Sequence, residues 1–159
     1  MNWFKIYIRS SLHVALAVSA LVGITANEFD IKILKYFYFF IFFSTIAGYN
    51  FVKFVSIYKS SKHEISLFLK LIQLISVIAG LFFYFQLSEV SIVFVLFLAI
   101  VTFLYANPLH KNKNLRNLTG LKISIVALVW ASTTVVLPIL NENIELLNKR
   151  SEERRVGKE

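Results

Sequence analysis

Residues 66–106, SLFLKLIQLISVIAGLFFYFQLSEVSIVFVLFLAIVTFLYA, are the part of this chain that indicates its fold class most clearly. It contains two apolar runs, each of the roughly twenty residues that an α-helix needs to cross the hydrocarbon core of a bilayer. A short polar segment around Ser88 and Glu89 separates the runs and predicts a tight reversal of the chain. Two spans of opposite direction are therefore expected, over about 66–86 and 90–106.

The rest of the chain repeats this pattern. Apolar runs over about 8–27, 33–52 and 121–140 predict three further spans, separated by short polar or charged segments. A basic loop is predicted from Lys53 to His63, directly after the second of the five spans. Residues 1–149 are therefore expected to form one all-α domain, a polytopic transmembrane helical bundle of about five spans.

The overall composition supports the same class. Hydrophobic residues make up 57% of the 159 residues and charged residues only 16%, and the mean hydropathy is +0.68. These values lie far outside the range of soluble domains. The strands of a membrane barrel would alternate apolar and polar residues, whereas the runs here are continuous. The lack of cysteine excludes disulfides, thiolate catalysis and thiolate metal sites.

Positive charge collects on one predicted side of the membrane. The N-terminus and the loops after the second and fourth spans hold eight basic residues: Lys5, Arg9, Lys53, Lys59, Lys62, Lys111, Lys113 and Arg116. The opposite side is richer in acidic residues: Glu28, Asp30, Glu89, Glu142 and Glu145. Because basic loops stay on the cytoplasmic side, the protein is predicted to be a multi-pass protein of the cell membrane, an inner membrane in bacterial terms, with a cytoplasmic N-terminus.

The last ten residues, 150–159, differ in style from the rest of the chain. The string RSEERRVGKE has no apolar periodicity and follows a chain rich in lysine, asparagine and isoleucine. It resembles the translation of a common sequencing-library adapter, which predicts an artefactual tail and a natural protein that continues beyond about Lys149. The alternative interpretation is a genuine solvated tail.

Two regions carry a resemblance to a known family. One is Gly48-Tyr49-Asn50-Phe51-Val52-Lys53-Phe54 at the end of the second span; the other comprises Tyr105-Ala106-Asn107-Pro108 and Leu121-Lys122 around the last loop. With the order and spacing of the spans, they resemble the N-terminal half of the UbiA-type intramembrane prenyltransferases. The resemblance implies a truncated UbiA-like bundle, with a first aspartate-rich motif, NDxxDxxxD, at the first region and a second, DxxxD, in the later half.

The chain departs from the family at the first motif. If the motif is placed from Asn50, its aspartate positions fall on Phe51, Phe54 and Tyr58. In the family these carboxylates hold the magnesium that neutralises an allylic diphosphate, and a hard dication requires oxygen ligands. No catalytic residue, metal ligand or cofactor is therefore assigned here, and magnesium is expected only if a later half supplies carboxylates.

Four residues are candidates for binding a diphosphate or a lipid phosphate: Asn50, Lys53, Arg116 and Lys122. Each has a second interpretation. The amide of Asn50 could form a cap or an interhelical hydrogen bond, and the three cations could anchor the chain in the headgroup layer. Gly48 is predicted to permit close contact between helices.

The sequence leaves two functions open. The first is a non-catalytic membrane protein that binds lipid or a partner protein within the bilayer. The second is a divergent prenyltransferase that acts on an isoprenoid diphosphate. The expected partners are membrane lipids, an isoprenoid lipid among them; nucleic acid is excluded because the basic residues are dispersed among loops. A transporter is a third and more distant candidate, because no acidic residue lies within a span to couple ions.

Overall fold

The computed structural model describes residues 3–60, 66–106 and 119–142, and all regular structure in these residues is helical. The helices are α1 Trp3–Arg9, α2 Leu12–Glu28, α3 Lys35–Ser60, α4 Leu67–Tyr84, α5 Glu89–Ala106 and α6 Thr119–Ala131. After α6 the chain stays helical through a π-helical segment, Ser132–Val136, to residue 142. The predicted all-α class is confirmed.

Four helical stretches are long and apolar enough to cross a membrane: Lys35–Val55, Leu67–Tyr84, Glu89–Ala106 and Ile123–Glu142. They correspond to four of the five predicted spans, with bounds shifted by a few residues. The first predicted span corresponds to α2, which has 17 residues. At 1.5 Å per residue α2 is about 25 Å long, at the lower limit for a transmembrane helix.

The prediction that the first span runs unbroken from residue 8 is wrong. Ser10 and Ser11 separate α1 from α2, and Ser11 adopts a left-handed backbone conformation with φ 64°. The Ser10 hydroxyl donates a hydrogen bond to the backbone oxygen of Tyr7. Serine side chains compete in this way with helical hydrogen bonding, and an apolar average over the segment does not reveal it.

The prediction that a loop begins at Lys53 is also wrong. Helix α3 continues to Ser60, so Lys53 lies within a helix. No proline or glycine occurs between residues 52 and 60 to stop the helix. The uncharged stretch of α3 ends at Lys53, whereas its backbone hydrogen bonding continues to Ser60. The rest of the predicted loop, from residue 61, lies outside the described residues.

Helix α3 lies at the centre of the bundle and packs against α2, α4 and α5. Helix α2 also packs against the π-helical segment, and α5 packs against α6. Side chains from several of these elements form the core cluster: Val14, Val18, Val22, Phe37, Phe40, Ile41, Leu87 and Leu137. The three valines recur at every fourth residue and therefore share one face of α2.

The π-helical segment has a local cause in the sequence. The hydroxyls of Thr133 and Thr134 donate to the backbone oxygens of Val129 and Trp130, each at 2.8 Å. The backbone N–H of Leu137 bonds to the oxygen of Ser132, five residues earlier, and Pro138 has no N–H to offer. The bond from Leu137 to Ser132 forms the wider turn, beside two threonines and a proline that each disturb regular α-helical hydrogen bonding.

Two hydrogen bonds bring three parts of the chain together at one end of the bundle. The Asn141 side-chain oxygen accepts from the backbone N–H of Ser88, in the turn between α4 and α5. The Glu142 carboxylate accepts from the backbone N–H of Lys32, in the loop between α2 and α3. The turn, the loop and the C-terminal end of the last described helix therefore meet, as expected for helices that alternate in direction.

The glycines differ in how closely another helix approaches them. A Cβ atom on Gly80 of α4 would lie 3.7 Å from the backbone nitrogen of Ser44 in α3. A Cβ atom on Gly48 would meet nothing within 4 Å. The prediction that Gly48 permits close helix contact is therefore wrong, and Gly80 is the glycine that lies against a neighbouring backbone.

Candidate functional site

Four polar residues meet at the end of the bundle opposite Asn141 and Glu142. We refer to Ser10, Ser11, Asn50 and Lys53 as the Asn50 cluster. Asn50 and Lys53 are three residues apart on α3 and therefore point in similar directions. The two serines lie in the break between α1 and α2. The cluster joins parts of the chain that are about forty residues apart.

Both polar groups of Asn50 are used inside the protein. Its side-chain oxygen accepts a 2.6 Å hydrogen bond from the Ser11 hydroxyl, and its amide nitrogen donates to the backbone oxygen of Ser10 at 3.2 Å. Asn50, Ser10 and Ser11 are each 0% exposed. A buried amide costs free energy unless it is hydrogen-bonded, so these contacts are what allow Asn50 to lie inside the bundle.

Lys53 completes the cluster. Its ammonium donates to the Ser11 hydroxyl at 2.8 Å and to the backbone oxygens of Ile8 and Arg9 at 3.3 and 3.4 Å. An ammonium has three N–H donors, and these contacts can use all of them. The two oxygens end α1, where the partial negative charge of a helix terminus favours a cation. The ammonium also lies 5.3 Å from the centre of the Tyr49 ring, within cation–π range.

The positions of the expected aspartates carry aromatic residues in place of carboxylates. The Phe51 ring stacks on Phe103 of α5, with ring centres 6.1 Å apart, and Phe54 is half-buried. The Tyr58 side chain lies outside the described residues. Magnesium requires oxygen ligands, and the Asn50 oxygen already accepts from Ser11. This part of α3 therefore does not fit a magnesium ion.

The four candidate phosphate-binding residues are not all visible. Arg116 lies outside the described residues, and Lys122 lies in α6, where only its backbone is described. Asn50 and Lys53 lie together, with the hydrogen bonds given above. Phosphate binding by these four residues stays a prediction. Among the described residues, no group of three or more His, Cys, Asp or Glu side chains could hold a metal ion.

Sequence reasoning missed the two serines. Neither Ser10 nor Ser11 was assigned a role, yet Ser11 contacts both Asn50 and Lys53. The available signal was a pair of adjacent serines at the start of an apolar run, because serine favours helix ends over helix interiors. Asn141, which caps the turn before α5, was missed for a different reason: its partner is 53 residues away along the chain.

Comparison with known proteins adds no relative: the chain matches no family model, no curated protein and no solved structure. The protein class therefore rests on the helices themselves. Four helices of suitable length and composition are typical of a multi-pass helical membrane protein.

Proposed function

We propose that this chain is a non-catalytic, multi-pass protein of the cell membrane that binds lipid, with five crossings and a cytoplasmic N-terminus. The observation that carries the proposal is the Asn50 cluster. The polar groups found where the resemblance predicts a catalytic motif are hydrogen-bonded to the junction between α1 and α2. Their contacts stabilise helix packing, and no carboxylate of the motif accompanies them.

The fifth crossing in this proposal is α2. It packs against α3 and the π-helical segment, both within helices long enough to span a bilayer. Helix α2 begins directly after Ser11 of the Asn50 cluster. It ends before the loop in which the backbone N–H of Lys32 bonds to Glu142. Helix α2 therefore extends between the same two ends of the bundle as its neighbours.

The outer faces of α4 and α5 support lipid binding. Large apolar side chains on these helices are more than half exposed: Leu67, Leu74, Ile75, Ile78, Leu81, Phe82, Phe85, Val93, Leu96, Phe97, Ile100 and Phe103. In water this surface would be highly unfavourable, whereas acyl chains cover it without cost to hydrogen bonding. Membrane lipids, an isoprenoid lipid among them, are the proposed ligands of these faces.

The likeness to UbiA-type proteins belongs to the same proposal. It rests on the order and spacing of the apolar helices and on the short motifs around Asn50 and Lys122. The competing function is a divergent prenyltransferase whose magnesium ligands come from other residues. The two functions make opposite predictions about magnesium-dependent chemistry.

The membrane topology can be tested with single cysteines, because these 159 residues contain none. In intact cells, an impermeant thiol reagent is expected to label Asn27→Cys and to leave Ser60→Cys unlabelled. Asn27 is exposed near the end of α2, and Ser60 is the last residue of α3. Labelling of both in permeabilised cells provides the control. The reverse pattern in intact cells would show that the orientation is inverted.

The non-catalytic function can be tested in liposomes. The protein, expressed from its complete gene, is incubated with allylic diphosphates and aromatic acceptors, with and without magnesium. We expect no magnesium-dependent product, because Phe51 and Phe54 supply no oxygen ligand for the metal. A known intramembrane prenyltransferase in the same liposomes serves as the positive control. Robust product that disappears on chelation of magnesium would overturn the proposal in favour of the enzyme.

A further inference from the structure

Helix α1 displays a group of apolar and aromatic side chains. Trp3 is 86% exposed and Phe4 is 73% exposed, while Tyr7 and Ile8 are 37% and 41% exposed. Its last residue, Arg9, is exposed and basic. Seven residues are too few to cross a bilayer, so these side chains need a different environment from those of the spans.

The hydrogen bonds of Lys53 define the depth of α1. Lys53 contacts the backbone oxygens of Ile8 and Arg9, at the end of α1. Lys53 is also the first charged residue of α3 after Lys35, so the uncharged stretch of α3 ends there. The end of α1 therefore lies level with the end of this uncharged stretch, which the proposed membrane insertion places where the hydrocarbon core meets the headgroups.

Helix α1 is not an extension of α2. The rings of Tyr7 and His13 lie 5.6 Å apart, and His13 Nδ1 is 3.4 Å from the Tyr7 backbone oxygen. In an unbroken helix, residues six apart are separated by about 9 Å along the axis and lie on different faces. The left-handed Ser11 and this contact show that the chain bends between the two helices and that the end of α1 contacts the first turn of α2.

We propose that α1 is an interfacial anchor that binds the anionic phospholipid headgroup layer on the N-terminal side of the bundle. Tryptophan and tyrosine favour this layer because their rings are apolar and their N–H and O–H groups can remain hydrated. Arg9 supplies positive charge next to the lipid phosphates, while Lys53 holds the end of α1 against α3. This inference rests on the proposed membrane insertion.

Tryptophan fluorescence can test the anchor because the chain has two tryptophans, Trp3 and Trp130. The Trp130→Phe variant reports on Trp3 and the Trp3→Phe variant on Trp130, which lies within the span Ile123–Glu142. Both are reconstituted in vesicles of phosphatidylcholine, with or without an equal amount of phosphatidylglycerol. The quenchers are lipids brominated near the headgroup or near the end of the acyl chain.

For Trp3 we expect headgroup-side bromine to quench at least about two-fold more than chain-end bromine, because indole rings favour the interface. Phosphatidylglycerol should shift its emission further to the blue, and Arg9→Gln should reduce that shift. If Trp3 is quenched by neither lipid and stays accessible to aqueous iodide, the anchor does not exist. If the phosphatidylglycerol effect survives Arg9→Gln unchanged, the proposed anionic contact is overturned.

Trp130 separates failure of the anchor from failure of the proposed function. In the Trp3→Phe variant we expect chain-end bromine to quench Trp130 more strongly than headgroup-side bromine, because a residue within a span lies near the acyl chains. If this holds while Trp3 remains in water, only the anchor is wrong. If neither tryptophan is quenched by lipid, the membrane insertion on which the anchor rests is wrong as well.

Discussion

Replacement of Asn50 by leucine is expected to destabilise the protein by about 1–3 kcal/mol, because the substitution leaves buried polar groups without partners. The Ser11 hydroxyl loses its acceptor, and the backbone oxygen of Ser10 loses its donor. Leucine is more apolar than asparagine, but it can replace neither hydrogen bond. The measurement is thermal unfolding in one detergent, with the denaturation midpoint of each variant compared with that of the natural protein.

Hydrogen exchange should show where the loss occurs. The amides of Val14 and Ala15 bond to the backbone oxygen of Ser11 and should exchange faster in Asn50→Leu. The matched control is Asn27→Leu, which changes an exposed asparagine at the far end of α2 and should leave these amides unaffected. Equal stability of Asn50→Leu and the unsubstituted protein would show that the Asn50 cluster does not stabilise the contact between α3 and the junction of α1 and α2.

Replacement of Gly80 by leucine is expected to cost about 1–3 kcal/mol through overpacking between α3 and α4. A methyl group at Gly80 would lie at ordinary contact distance from the backbone of Ser44 and Phe43. Leucine adds three more carbon atoms beside this backbone, and we expect them to force the helices apart. Small residues permit such close approach of membrane helices, where packing is a main source of stability. Thermal unfolding in detergent again provides the measurement.

Two substitutions control for the effect of size alone. Gly80→Ala should be close to neutral, because its Cβ fits and alanine favours a helix. Gly48→Leu adds the same side chain as Gly80→Leu, but at a position where a Cβ would meet nothing within 4 Å. This substitution should therefore be tolerated. If Gly48→Leu is as destabilising as Gly80→Leu, the close approach of α3 and α4 at Gly80 is not the cause.

These substitutions examine different kinds of interaction in one bundle. At the end near α1, a buried amide and a lysine hold two helices and a chain break together through hydrogen bonds. Between α3 and α4, Gly80 permits backbone contact, and Phe83 stacks on Phe39 with ring centres 5.4 Å apart. Water cannot replace the hydrogen bonds of Asn50, Ser10 and Ser11, because all three residues are fully buried, and this makes the Asn50 cluster the more specific of the two contacts.

Parts of the candidate site could be predicted from the sequence. The position of Asn50 near the end of an apolar run was sufficient to predict an interhelical hydrogen bond as one of its two interpretations. The basic and polar residues that begin at Lys53 predict a loop. The structure shows a helix there, because no proline or glycine stops α3 before Ser60. Hydrophobicity marks the depth of the bilayer; it does not mark the end of backbone hydrogen bonding.

The sequence alone predicts the all-α class, the reversal near Ser88 and four of the apolar helices, because the length of an apolar run and the hydrogen bonding of a helix are local properties. The packing of the helices was needed to show that Ser11 breaks the first span and bonds to Asn50, 39 residues away. It also decided that Gly80, and not Gly48, lies against a neighbouring helix. These features depend on the rotation and spacing of packed helices, which the order of residues along one helix does not encode locally.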